Sequence, residues 1–201
     1  MPDADPALPL SPRGLEILQA NPAAYEKLVV LGPTPDTARR LLRGTTPDPL
    51  FAGPIASPAH AAAALAGLWL WHDGLHECHE VAQDSGRDGR RAVRSLDLWH
   101  AVMHRREGDF GNAKYWYTRV GTHPALDQLA AAAAPLLADP AQAGHAGSLS
   151  RGGWNPSAFV DLCERADARP VGDPARQLAV ALQRLEWEAL FAHDARAAVG
   201  G

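Results

Sequence analysis

Cysteine is scarce: Cys78 and Cys163 stand alone in 201 residues. That excludes a disulfide framework and a cysteine-based zinc site. Lysine is nearly missing as well, present only as Lys27 and Lys114, so arginine carries the positive charge. A net charge of −4 and a sequence pI near 6.1 argue against nucleic acid or an anionic membrane as the main partner. No apolar run reaches the length of a membrane span. The first residues, Met1-Pro2-Asp3-Ala4-Asp5-Pro6, lack the basic start and apolar stretch of a secretion signal, so a cytoplasmic location is expected. Alternating apolar/polar runs are also nearly absent. Lys27-Leu28-Val29-Val30-Leu31 is the one strand-like candidate, and it reads better as the end of a helix. These absences leave an all-α fold.

What is present supports that class. Apolar residues make up 46% of the chain, enough for a core. Proline behind a short polar residue recurs at Thr34-Pro35, Ser57-Pro58, His123-Pro124, Asn155-Pro156 and Asp173-Pro174, the pattern of helix starts. The spacing predicts short helices near 12–30 and 35–43, then longer ones over 58–83, 95–106, 124–138, 156–166 and 174–197. A short helix is expected near 113–118, a polar turn at 84–91 and a flexible loop at 139–153. The first two long helices should pack antiparallel as a hairpin in a compact helical bundle. Residues 1–56 read as an irregular N-terminal extension packed on a helical domain of residues 57–201.

Chemistry concentrates in residues 69–124, where six of the nine histidines fall. One pattern occurs twice: Trp71-His72-Asp73-Gly74-Leu75-His76 and Trp99-His100-Ala101-Val102-Met103-His104. Histidines four apart share a helix face, about 6 Å apart along the axis. Two such pairs on facing helices can converge, which makes His72, His76, His100 and His104 candidate ligands for a divalent transition metal. Zinc, iron, manganese and nickel all suit imidazole and carboxylate donors, and the spacing does not choose among them. His72, His76, His79 and Gln83 form one stripe; Asp73, Glu77 and Glu80 form another beside it. Ionisable groups on an otherwise apolar helix need partners, because a lone buried polar group costs several kcal/mol. Asp73 and Glu77 are therefore candidates for a general base or for orienting the metal ligands. His76-Glu77-Cys78-His79 is one residue short of the zinc-protease motif.

The segment after the second pair is rich in anion-binding types. Arg105, Arg106, Lys114 and Arg119 suit a carboxylate or phosphate, and Tyr115, Trp116 and Tyr117 offer an aromatic wall for a small-molecule ligand; the alternative is that the charges form ion pairs tying the segment to the bundle while the aromatics join the core. Glu186 and Glu188 flank Trp187 in the last helix and read as two exposed acids, with one carboxylate turned inward toward the histidines as the alternative. Three functions follow: a metal-binding helical protein acting as an enzyme on a small anionic substrate, a non-enzymatic helical module with a buried His–carboxylate network, or a metal-free acid/base enzyme.

The same motifs carry a resemblance. Leu75-His76-Glu77-Cys78-His79, Trp99-His100-Ala101-Val102-Met103-His104-Arg105-Arg106-Glu107, Asn112-Ala113-Lys114-Tyr115-Trp116 and Val120-Gly121 are similar to those of a family of uncharacterised bacterial and fungal proteins. The similarity covers roughly residues 58–195. It implies no activity and adds no site residue.

Overall fold

The sequence punctuation becomes helix caps in the computed structural model, which describes residues 8–84, 94–150 and 152–201. In chain order the helices are α1 (Pro12–Gln19), α2 (Asp36–Leu42), α3 (Pro58–Trp71), α4 (Leu75–Asp84), α5 (Arg94–Glu107), α6 (Phe110–Val120), α7 (Pro124–Leu137), α8 (Ala143–Ser150), α9 (Pro156–Asp167) and α10 (Pro174–Ala198). Ser11, Ser57, His123, Asn155 and Asp173 each cap a helix whose first residue is proline. Each side chain accepts a backbone N–H that the helix itself leaves unpaired. Thr34-Pro35 differs: α2 starts one residue later with no side-chain cap, and the Thr34 hydroxyl goes elsewhere. Among the described residues, β-structure is confined to one bridge between Leu10 and Phe51. The fold is all-α, a helical bundle with antiparallel packing and an irregular N-terminal region.

Helix α3 is apolar on every side and buried from Ala61 to Leu70, so it occupies the centre. It packs against α4, α5 and α10. Gly67 is the point of closest approach. A Cβ there would lie 2.6 Å from Trp99 Cζ2, so Trp99 fits only against a bare backbone. Ile17, Tyr25, Leu42 and Leu50 from the N-terminal region join the same core. Leu28 joins a second cluster formed by α7, α8, α9 and α10.

Three elements differ from expectation. The helix expected over 12–30 stops at Gln19, and residues 27–31 form neither helix nor strand. Val30 N–H instead donates to the Arg106 carbonyl at 2.8 Å. The loop expected at 139–153 contains α8, anchored by buried Leu149. The polar turn expected at 84–91 lies almost wholly outside the described residues.

The third difference matters most: the helix expected over 58–83 breaks after Trp71. Asp73 adopts φ +60°. Its N–H donates to the Leu70 carbonyl at 3.1 Å, and Gly74 N–H donates to the Trp69 carbonyl at 2.8 Å. This is the paired closure of a helix end on a left-handed residue. Aspartate tolerates that conformation better than most residues, at a cost of about 1 kcal/mol or more. Arg106 holds it there. Its guanidinium donates to the Leu70 carbonyl at 2.7 Å and to Asp73 Oδ1 at 2.8 Å, and it lies 4.0 Å from the Tyr25 ring centre. A cation at the carbonyl end of α3 also suits the helix dipole.

Arg105, the neighbouring residue, is equally buried and points to α10. It bonds the Glu186 carboxylate, and its other nitrogen lies 3.3 Å from Gln183 Oε1. Glu186 also accepts the Tyr117 hydroxyl at 2.6 Å. Gln183 donates in turn to the Tyr25 and Lys27 carbonyls at 2.6 and 3.0 Å. Glu186 is thus a buried counter-ion rather than an exposed acid. Glu186→Ala leaves the Arg105 charge buried and unpaired and should destabilise the fold by about 3–5 kcal/mol. Urea denaturation checks this; a loss under 1 kcal/mol would show that the pair holds nothing together.

Candidate metal centre

The helix break resets the phase of α4 relative to α3, and this decides which histidines meet. His79 of α4 joins His100 and His104 of α5. Their ligand atoms all lie within 4.8 Å of one another. The His79 ring stands edge-on to both, with centroids 4.8 Å from His100 and 5.7 Å from His104. His100 and His104 stack at 4.6 Å. Three nitrogens around a tetrahedral zinc ion stand about 3.3 Å apart, so closure needs a contraction on the order of 1 Å.

His100 is the least compensated member. It is 3% exposed, and its Nε2 has no hydrogen-bond partner among the described residues. An unpartnered buried nitrogen costs about 1–3 kcal/mol. Burial, followed by the neighbouring His104, His79 and Arg119, lowers its pKa to about 3. His79 is lowered too, first by burial and then by His104. Neutral imidazole is the form a metal ion requires. Trp116 of α6 stacks on His100 at 4.1 Å, and Arg119 lies 4.9 Å from the Trp116 ring centre.

His104 is oriented by a carboxylate. Glu107 accepts from its Nδ1, which fixes the proton there and leaves the lone pair on Nε2. Asn112 Nδ2 lies 3.0 Å from Nε2 and 3.3 Å from Nδ1, beside the ring rather than in line with the Nε2 lone pair. His79 opens onto a cleft of about 430 Å³, lined also by Thr34, Leu75, His76, Met103 and Glu107. The donor set therefore suits a metal ion with room for a small ligand beside it.

The other sequence candidates lie elsewhere. His72 is buried, with Nε2 donating to the Ile17 carbonyl at 2.9 Å, and serves as a tie between α3 and α1. His76 is exposed at the cleft rim, 3.5 Å from Glu80. Neither joins the three-histidine group: the break takes His72 out of the phase of α4, and His76, three residues before His79 on α4 itself, is exposed. Asp73 pairs with Arg106 and, at 3.4 Å, with Lys27. Glu77 accepts the Thr34 hydroxyl at the cleft wall. Of the expected anion-binding residues, Arg105 and Arg106 are fully buried and engaged. Lys114 pairs with Asp161 at 2.5 Å, and Arg119 donates to the exposed Tyr115 hydroxyl at 3.2 Å. His79 is the member of the group that spacing alone passed over. Asp73-Gly74 was the signal that a helix end, and so a new phase, lay within the first histidine pair, between His72 and His76.

No family model, curated protein or solved structure matches the chain, so the resemblance rests on its motif residues alone. Among the described residues, no helix is long and apolar enough to cross a membrane.

A pH dependence follows. Burial, then His193, lowers His123 to about 4, and its Nδ1 accepts from Ala125 N–H at 3.2 Å to cap α7. His100 and His123 both sit below the ordinary 6.5 of an unfolded histidine. Between those values the unfolded chain binds protons that the folded chain does not. The stability of metal-free protein should be level with respect to these groups above pH 6.5 and fall as pH drops toward 4. Thermal melts across that window check the sign; melting temperatures that rise on acidification contradict it.

Proposed function

We propose that the chain binds a divalent transition metal through His79, His100 and His104 and acts as a metal-dependent enzyme on a small molecule admitted by the adjoining cleft. The observation that carries this reading is the buried, unpartnered Nε2 of His100 within a three-histidine group. Three imidazoles fill three positions of a tetrahedral ion, and catalytic metal sites keep one more open for water or substrate. A bound ion would supply Lewis-acid polarisation there. Glu107 orients His104. Glu77, which accepts from the cleft-lining Thr34, would be the carboxylate that takes a proton. Asp73 is committed to Arg106 and is left out of this role. With Arg105 and Arg106 engaged inside the protein, the negative group of an anionic substrate would bind the metal itself.

A second reading keeps the histidines as a structural His–carboxylate network, and the His104–Glu107 contact favours it. The two separate on metal linkage. An ion that binds only the folded state at one hundred times its dissociation constant stabilises it by about 2.7 kcal/mol. Tag-free, chelator-stripped protein should melt higher when zinc is restored. His79→Ala should weaken zinc binding at this site at least tenfold while its metal-free melt stays close to that of the parent. A melting temperature indifferent to both zinc and chelator favours the structural network.

A further inference from the structure

A second donor group shares no residue with the first. Helices α3 and α10 run antiparallel: Ser57 N–H donates to the Ala198 carbonyl at 3.0 Å, and Trp187 Nε1 donates to the Gly67 carbonyl at 2.8 Å. That register sets His60, in the first turn of α3, against His193 and Asp194 near the end of α10. One ligand atom from each of the three lies within 4.8 Å of the other two.

Asp194 is fully buried. Its Oδ2 accepts Trp99 Nε1–H at 2.8 Å, and its Oδ1 lies 2.8 Å from His60 Nδ1. A carboxylate offers about four acceptor positions, so these contacts leave capacity. The His193 ring stands edge-on to His60 at 5.4 Å and to His123 at 4.8 Å. The ring is half-buried, and among the described residues neither of its nitrogens has a hydrogen-bond partner, so both are free to take a ligand. His123 cannot take that part. Its Nδ1 accepts from Ala125 N–H, which puts the proton on Nε2, 3.1 Å from Ser95 Oγ. Both nitrogens are thus occupied, and His123 serves as a wall. The same tautomer leaves Nε2 unable to take a proton from Ser95, so the pair is not a nucleophilic dyad.

Two imidazoles and a carboxylate form a donor set for manganese, iron, cobalt, nickel or zinc. The 2.8 Å between His60 Nδ1 and Asp194 Oδ1 is already near the spacing of adjacent ligands on an octahedral ion, about 3 Å for bonds of about 2.1 Å. The His60 side chain is 21% exposed, which gives an ion a way in. We infer that His60, His193 and Asp194 form a second divalent transition-metal site, independent of the three-histidine group and bearing a carboxylate that the first lacks.

Zinc titration of tag-free, chelator-stripped, full-length protein by calorimetry tests this. The parent should bind two equivalents. His193→Ala should bind one, and so should His79→Ala, each losing a different site. His60→Ala should reproduce the His193→Ala result, and metal-free melts of both variants show whether the fold is intact. A parent that binds one equivalent, lost in His193→Ala and kept in His79→Ala, supports this site and overturns the three-histidine reading. If His193→Ala and His60→Ala both take up as much zinc as the parent, the second site does not exist.

Discussion

The Arg106 guanidinium, buried beneath Tyr25 and bonded to both the Leu70 carbonyl and Asp73, is the contact from which the rest of the arrangement follows. It fixes the end of α3 and holds Asp73 in a left-handed conformation. With the helix ended there, α4 restarts in a new phase, which parts His72 from His79, the α4 histidine that meets α5. One ion pair of 2.8 Å thus fixes the break on which that separation depends. Arg105, beside it, ties α5 to α10 through Glu186 and holds the Tyr25–Lys27 segment through Gln183. Two adjacent arginines position the site without taking part in it.

Electrostatics inside the bundle divides the histidines by task. His72 and His123 are buried with hydrogen bonds that use their nitrogens for packing and capping. His79, His100 and His104 are gathered with one nitrogen left unpaired. A buried nitrogen without a partner costs free energy, and a ligand at His100 would supply that partner. The capacity for coordination and the expected acid-induced loss of stability both follow from imidazoles kept neutral in the fold.

Much of this was legible in the sequence. Proline after a polar cap located most helix starts, and the all-apolar run of α3 announced a central helix. His100 and His104 share a face because no break intervenes between them. His79 lay on the stripe of His72 and His76 but outside the repeated Trp-His-x-x-apolar-His pattern, so the repeat drew attention to His72 and His76 instead. Asp73 is rarely left-handed without support, and its support, Arg106, comes from 33 residues away. Of the two readings of Arg105 and Arg106, ion pairing to the bundle is the one their burial supports, and its depth was not legible for a related reason. Charge runs are usually solvated, and only tertiary packing shows that both guanidiniums are enclosed.

The most direct measurement is anomalous diffraction at the zinc edge from crystals of tag-free protein loaded with zinc. The account predicts a peak bonded at about 2.0–2.1 Å to one nitrogen each of His79, His100 and His104. Zinc-loaded crystals with no peak between those three rings, or with His72 and His76 as the ligands, would contradict it.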